Sequence, residues 1–222
     1  NLLAGKTVLV TAAAGTGIGF AVAKRCAEEG ARVMISDIHE RRLAEAVAGL
    51  EGSSELPIAS CPCNARYLHF FVRRQPGDLF SDRVFGGDMH HGHMVTVRGP
   101  TGRFVLDEES SEPAVFIAFG DGIAPIKSLI EHAVSIDVIE SFHLYWAVPE
   151  PEGQYQARWC RAMKESLDNF AYTPITRAQA DDVLAVVASD HHPWESLRVY
   201  VAGPLAEVEA VARGLEKLGV PS

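Results

Sequence analysis

The 222-residue chain has little basic charge: 20 Lys and Arg stand against 29 Asp and Glu, a formal net charge of −9. Nucleic-acid binders need clustered Lys and Arg to neutralise phosphates, so a general nucleic-acid partner is excluded. Long apolar runs are missing too. Stretches such as Ala114–Phe119 are strand-length, well short of the roughly 20 residues a bilayer requires, so no membrane partner is expected. The opening residues, Asn-Leu-Leu-Ala-Gly-Lys, hold no basic region followed by a long apolar stretch. No secretory signal is read there, and a cytoplasmic location is the expectation. Cysteine is scarce. Cys26, Cys61, Cys63 and Cys160 make no Cys-x-x-Cys pair of zinc-site spacing, and a chain this long needs no disulfide staples. Reduced thiols are the expectation; Cys61-Pro62-Cys63 is the one unusual spacing, with a redox or metal role as its alternative reading. Finally, no tyrosine has a lysine four residues on: Tyr67, Tyr145, Tyr155, Tyr172 and Tyr200 precede Phe71, Pro149, Trp159, Thr176 and Pro204.

What is present is globular: 47% apolar and 22% charged residues. Thr7–Ala12 is a short β-branched run that reads as a buried strand. It leads into Gly15-Thr16-Gly17-Ile18-Gly19 and a helical pattern, which Gly30 closes as a C-terminal cap. A second strand, Arg32–Ser36, ends at the acid Asp37, and an amphipathic stretch follows at Arg41–Leu50. Glycines between a strand and a helix let phosphate oxygens approach the backbone, where the helix N-terminus offers free N–H groups. An acid about 20 residues on can hydrogen-bond a ribose diol. Gly15, Gly17, Ile18, Gly19 and Asp37 are therefore candidate dinucleotide contacts. The bland alternative is a βαβ unit whose glycines only make a tight turn. Residues 1–54 resemble the opening of a short-chain dehydrogenase/reductase, with Ala12 where that family has its first glycine. The family's chemistry uses a Tyr with a Lys four residues later, and that pair is missing here.

The texture changes after Gly52-Ser53-Ser54. Leu56–Ser60, Leu68–Arg74, Met94–Arg98 and Arg103–Leu106 read as short strands between Pro and Gly turns, a pattern of antiparallel structure. His90-His91-Gly92-His93 carries metal-type ligands but no nearby Cys or carboxylate partner, and reads as a solvated turn. Residues 55–110 resemble part of the flavin-binding barrel of the ferredoxin reductase family. Leu56-Pro57-Ile58-Ala59-Ser60 stands where the family has Arg-x-Tyr-Ser-Ile-Ala-Ser, and Gly77 and Ser81 stand in its pyrophosphate loop. By that resemblance Ile58, Ala59, Ser60, Gly77 and Ser81 face the flavin. The family's Arg, Tyr and hydroxyl positions hold Ser54, Leu56 and Pro57, and the barrel's earlier strands are absent. FAD is therefore expected to bind weakly.

From residue 111 strands and helices alternate, the pattern of a parallel doubly wound sheet. The expected strands are Ala114–Phe119, Phe142–Val148, Ala171–Ile175 and Leu197–Ala202. Gly120-Asp121-Gly122-Ile123-Ala124-Pro125 follows the first of these, and Ala202-Gly203-Pro204 ends the last. Residues 111–222 resemble the pyridine-nucleotide domain of the same ferredoxin reductase family. The resemblance puts the pyrophosphate at Gly120, Asp121, Gly122, Ile123, Ala124 and Pro125, and the nicotinamide beside Ala202, Gly203 and Pro204. Asp121 replaces the family's Thr, and Ala202 its Cys. Val148-Pro149-Glu150 carries an acid where an Arg would meet a 2′-phosphate, and Asp37 acts alike in the first segment, so NAD(H) is preferred over NADP(H).

The expected architecture is α/β: a Rossmann-like βαβ segment over 1–54, a partial antiparallel β-barrel over 55–110 and a parallel doubly wound NAD-binding domain over 111–222. The two oxidoreductase pieces join near residues 52–55. The leading functional reading is an NADH-dependent, flavin-type electron-transfer oxidoreductase, impaired by its shortened barrel, with an iron–sulfur protein or domain as electron acceptor. The rivals are a short-chain dehydrogenase acting on an alcohol or ketone, and a non-catalytic nucleotide-binding scaffold. Buried-type strands in the first segment should dock on barrel strands or pair with a second copy, giving a homodimer.

Overall fold

The computed structural model describes residues 2–3, 6–11, 18–36, 54–63, 66–87, 89, 91, 95, 97, 99–176, 179–191, 194 and 196–220. The chain divides into two compact units, one of residues 1–56 with 72–102, the other of residues 57–71 with 103–222.

The first unit contains a βαβ motif. Strands β1 (Thr7–Thr11) and β2 (Arg32–Ser36) pair in parallel, Thr7 opposite Arg32 and Thr11 opposite Ser36. Helix α1 (Ile18–Glu28) joins them, burying Ala23 while Val22 is exposed. Gly30, at φ +82°, ends the helix as the sequence implies, and Ala31 N donates to Cys26 O at 3.0 Å. Further on, Asp78 caps the short helix α2 (Leu79–Phe85), accepting from Ser81 N at 2.7 Å.

The second unit is built on a four-stranded sheet of order β5-β4-β3-β6: β3 (Ala114–Phe119), β4 (Phe142–Val148), β5 (Phe170–Thr176) and β6 (Arg198–Ala202). Every pairing is parallel. The period-2 alternation of strands sorts the core into two faces. Phe116, Ala118, Leu144 and Trp146 pack with α3 (Ile123–Ile136), through Ile126 and Ile130, and with Cys160 of α4 (Ala157–Ser166). Val115, Ile117, Tyr145 and Ala147 pack with α5 (Ala180–Asp190), through Val183 and Val187, and with α6 (Leu205–Lys217), through Val211 and Leu215. Both faces are covered, and β3 is buried at all six positions, as its unbroken apolar run requires. Pro174 sits in β5, an edge strand, where a missing N–H is tolerated.

The linker into this sheet is also anchored. Asp107 N donates to Tyr200 Oη at 3.0 Å, the Tyr200 ring stacks on Phe116, and Arg198 pairs with Glu112 at 2.9 Å. The strands expected over 55–110 are reduced, among the described residues, to one antiparallel bridge between Ile58 and Phe70. The 103–106 segment forms no strand, and Val105 is 69% exposed. A strand needs a ladder partner, and apolar alternation cannot supply one. Met94, Thr96 and Arg98 lie outside the described residues.

Candidate dinucleotide site

Within the sheet, β4 and β5 step away from β3 on one side, and β6 returns to its other side. The order therefore reverses between β3 and β6, and ligands of open α/β sheets bind outside the carboxyl ends of strands at such a switch point. Those two ends carry the two sequence motifs. Ala118 pairs with Ala202, so Gly120 and Gly203 adjoin.

The glycines do different work. Gly122 is buried at φ −57°, and a Cβ added there would lie 2.2 Å from Ala202 O and 2.7 Å from Gly203 N. A Cβ on Gly203, at φ +153°, would lie 2.6 Å from Phe119 Cβ. These two permit β3 and β6 to meet. Gly120, at φ +52°, would meet nothing within 4 Å, so its backbone borders open space. A 3₁₀ turn, Gly120–Gly122, leads into the 14-residue α3, whose N-terminus has no side-chain cap. Its first N–H groups and dipole can receive an anion. Ile123 and Ala124 are buried, Pro125 is half-buried, and Gly203 and Pro204 are exposed. The residues thus fit a dinucleotide pyrophosphate: open space, a bare backbone and an uncapped helix start in one place.

Asp121 is exposed beside this turn and accepts from Tyr155 Oη at 3.4 Å. Its carboxylate works against a neighbouring dianion, as its replacement of the family's Thr implies. Trp146 was not singled out from the sequence, yet it holds the turn: its indole N–H donates to Gly120 O at 2.9 Å. Gln154 Nε2 donates to Trp146 O at 3.2 Å, and Tyr172 Oη donates to Gln154 Oε1 at 3.2 Å. A Trp inside an apolar strand run is the signal that could have found it, because a buried indole needs an acceptor.

The candidate flavin residues present less. Ala59 and Ser60 are buried. Ala59 N donates to His69 O at 2.8 Å, Ser60 Oγ accepts from His69 N at 3.1 Å, and Ile58 is half-buried. In the first unit Gly77 takes φ +86°, and its N–H donates to Asp82 Oδ2 at 3.0 Å. Ser81 is buried, and its hydroxyl accepts from Gln75 N at 2.7 Å. Carboxylates of the chain thus occupy donors that a flavin pyrophosphate would use. These residues do not fit a tightly held FAD. In the first segment Ile18 and Gly19 open α1, while Gly15, Gly17 and Asp37 lie outside the described residues. Among the described residues no group of three His, Cys, Asp or Glu could hold a metal, and no helix is long and apolar enough to cross a membrane.

A doubly wound sheet with glycine turns at its switch point is a common frame for binding nucleotides. Residues 116–213 match the family described as oxidoreductase NAD-binding domain, and residues 6–67 match short chain dehydrogenase. The two matches fall in different parts of the chain, the short chain dehydrogenase match near its start and the NAD-binding match in the doubly wound sheet. It is 24% identical over 198 residues to the reductase component of propane 2-monooxygenase from Rhodococcus jostii, covering 84% of this chain and 51% of that one. Over 50 residues it is 67% identical to an indene-carboxyl-CoA reductase of Mycobacterium tuberculosis, 22% of this chain and 19% of that one. The cytochrome P450 reductase GcoB of Amycolatopsis shares the fold: TM-score 0.59, 21% identity, 75% of this chain and 53% of that one. The chain spans about half the length of the curated relatives it matches.

Proposed function

We propose that residues 111–222 are the pyridine-nucleotide half of an NADH-dependent electron-transfer oxidoreductase of flavin type. The observation that carries this reading is the open space beside Gly120, at the sheet's switch point and at the uncapped start of α3. The pyrophosphate lies against residues 120–125, and the nicotinamide beside Ala202, Gly203 and Pro204. Glu150, exposed beyond the end of β4, repels a 2′-phosphate, so NADH is taken in preference to NADPH. A nicotinamide would supply hydride when bound. The chain's own residues hold and orient: Trp146 fixes the turn, and Gly122 and Gly203 set the spacing of the two strand ends.

The flavin is loosely held, residues 55–110 being the remnant of an antiparallel barrel. The electron acceptor is an iron–sulfur protein or domain; the Rhodococcus jostii relative is itself named as the reductase component of propane 2-monooxygenase. The first segment is a second dinucleotide-binding unit without the dehydrogenase family's Tyr–Lys chemistry. Calorimetric titration tests the reading, with NADH expected to bind and NADPH to bind more weakly. Absence of binding by both would reject it.

A further inference from the structure

The sequence implies reduced thiols throughout, and here the structure differs: Cys61 and Cys63 are joined in a disulfide, their Cα atoms 5.2 Å apart, while Cys26 and Cys160 are free. Spacing rules read from sequence look for staples across long loops or for Cys-x-x-Cys metal pairs, and Cys-Pro-Cys is neither.

The two sulfurs sit in different surroundings. Cys61 is 6% exposed and Cys63 is exposed. Cys63 N donates to Cys61 Sγ at 3.1 Å. The Ser135 hydroxyl lies 3.9 Å from Cys61 Sγ, its proton directed at His132 O at 2.8 Å. Cys61 N donates to Glu131 Oε2 at 3.2 Å, and that carboxylate is ion-paired with the buried Lys127, which also donates to Ala59 O at 3.3 Å. Ser128 Oγ donates to Ser60 O at 2.7 Å. The backbone of residues 59–61 is thus clamped to α3, so Cys61 keeps its place whether or not the bridge is closed. One sulfur is reachable; the other is fixed, with one N–H donor in place and a hydroxyl that can rotate toward it.

We propose that Cys61–Cys63 is a thiol–disulfide exchange site that reacts with small thiols and disulfides, Cys63 being the sulfur attacked and Cys61 the leaving thiolate. An external thiolate attacks Cys63 Sγ, forming a mixed disulfide and breaking the Cys61–Cys63 bond. The electron pair of the broken bond stays on Cys61 Sγ, which keeps the Cys63 N–H contact and accepts a hydrogen bond from the Ser135 hydroxyl as it turns. A second external thiolate then attacks the outer sulfur of the mixed disulfide, releasing the oxidised external disulfide and Cys63 thiolate. Exchange depends on access to the attacked sulfur and on stabilisation of the leaving one, and the two cysteines divide these requirements. The reverse sequence reoxidises the pair with an external disulfide. None of this depends on nucleotide binding.

The test uses the full chain purified without reductant. After unfolding, which also frees the buried Cys160, two thiols should titrate, rising to four after treatment with dithiothreitol. Four thiols in the air-exposed chain would overturn the proposal. Incubation of the single variants with oxidised glutathione then reads the asymmetry by mass spectrometry. Cys61→Ser should form the glutathione mixed disulfide at Cys63 readily, and Cys63→Ser should leave Cys61 largely unmodified. Equal modification of the two would refute the assignment of roles. Ser135→Ala should slow glutathione reduction of the otherwise unchanged disulfide several-fold, and an unaltered rate would remove the hydroxyl from the mechanism.

Discussion

Replacing Gly122 with alanine perturbs the apposition on which the proposed dinucleotide site depends. Gly122 has φ −57° and ψ −14°, a conformation open to any residue, so alanine meets no backbone penalty. Restricting the unfolded chain would by itself stabilise the protein by about 0.4–1 kcal/mol. The new Cβ, however, would lie 2.2 Å from Ala202 O and 2.4 Å from Ala202 C, where carbon contacts normally begin beyond about 3.4 Å. The strand ends must separate by roughly 1 Å. Overpacking costs about 1–3 kcal/mol, and backbone atoms on the far side place the cost near the upper end. A net loss of about 2 kcal/mol lowers Tm by roughly 4–10 °C for a unit of this size. Displacement at the site also removes most NADH affinity. Because the atoms met are backbone, Ala202→Gly should not rescue the variant. Gly120→Ala is the contrast: its Cβ enters open space, so it should weaken NADH binding with a smaller stability loss, about 1–2 kcal/mol from the left-handed conformation. Differential scanning calorimetry and titration calorimetry read both quantities. If Gly122→Ala melts with the wild type, or Ala202→Gly restores it, the close meeting of β3 and β6 is wrong.

Three further outcomes are expected. Burial first, and then the neighbouring His191, hold the His143 imidazole down at about 4, against the opposing pull of Asp190; its Nε2 contacts Thr173 Oγ1 at 2.8 Å. The unfolded chain takes up that proton near pH 6.5, so stability falls as pH drops from about 6.5 to about 4 and is independent of this group above 6.5. Full conversion of the shift would give about 3 kcal/mol, reduced to roughly 1–2 for an imidazole only half-buried. Urea melts against pH should show a shallower slope for His143→Gln, and an identical slope would refute the assignment. FAD should be absent or substoichiometric after gel filtration, because Asp78 and Asp82 occupy the N–H groups of Ser81 and Gly77; a retained, stoichiometric flavin spectrum would show another site. Removing residues 1–52 should change oligomeric state or solubility by light scattering, and a monomeric, equally stable product would make the first segment an independent appendage.

The doubly wound half was legible because its signals are local and redundant: short apolar-rich runs alternating with amphipathic helices, the first run being six consecutive apolar residues ended by a glycine turn. All four expected strands formed within two residues of their expected bounds. Gly120 and Gly203 could be assigned to one crevice because dinucleotides bind outside the carboxyl ends of the strands in such sheets and the resemblance set both motifs there. The 55–110 region was less legible, since antiparallel structure depends on partners set by the whole fold, and among the described residues only Ile58 and Phe70 found each other. Trp146 escaped notice because its hydrogen bond to Gly120 crosses 26 residues. The engagement of Ser60 and Ser81 inside their own loops was equally invisible, because a serine in a motif reads the same whether its hydroxyl faces a ligand or the backbone.

The central claim is that the open space at Gly120 receives the pyrophosphate of NADH. Titration calorimetry of the full chain with NADH, beside Gly120→Ala, tests it most directly. The account predicts one site on the second unit that binds NADH more tightly than NADPH and is weakened at least tenfold by the substitution. Undiminished binding by Gly120→Ala would contradict it.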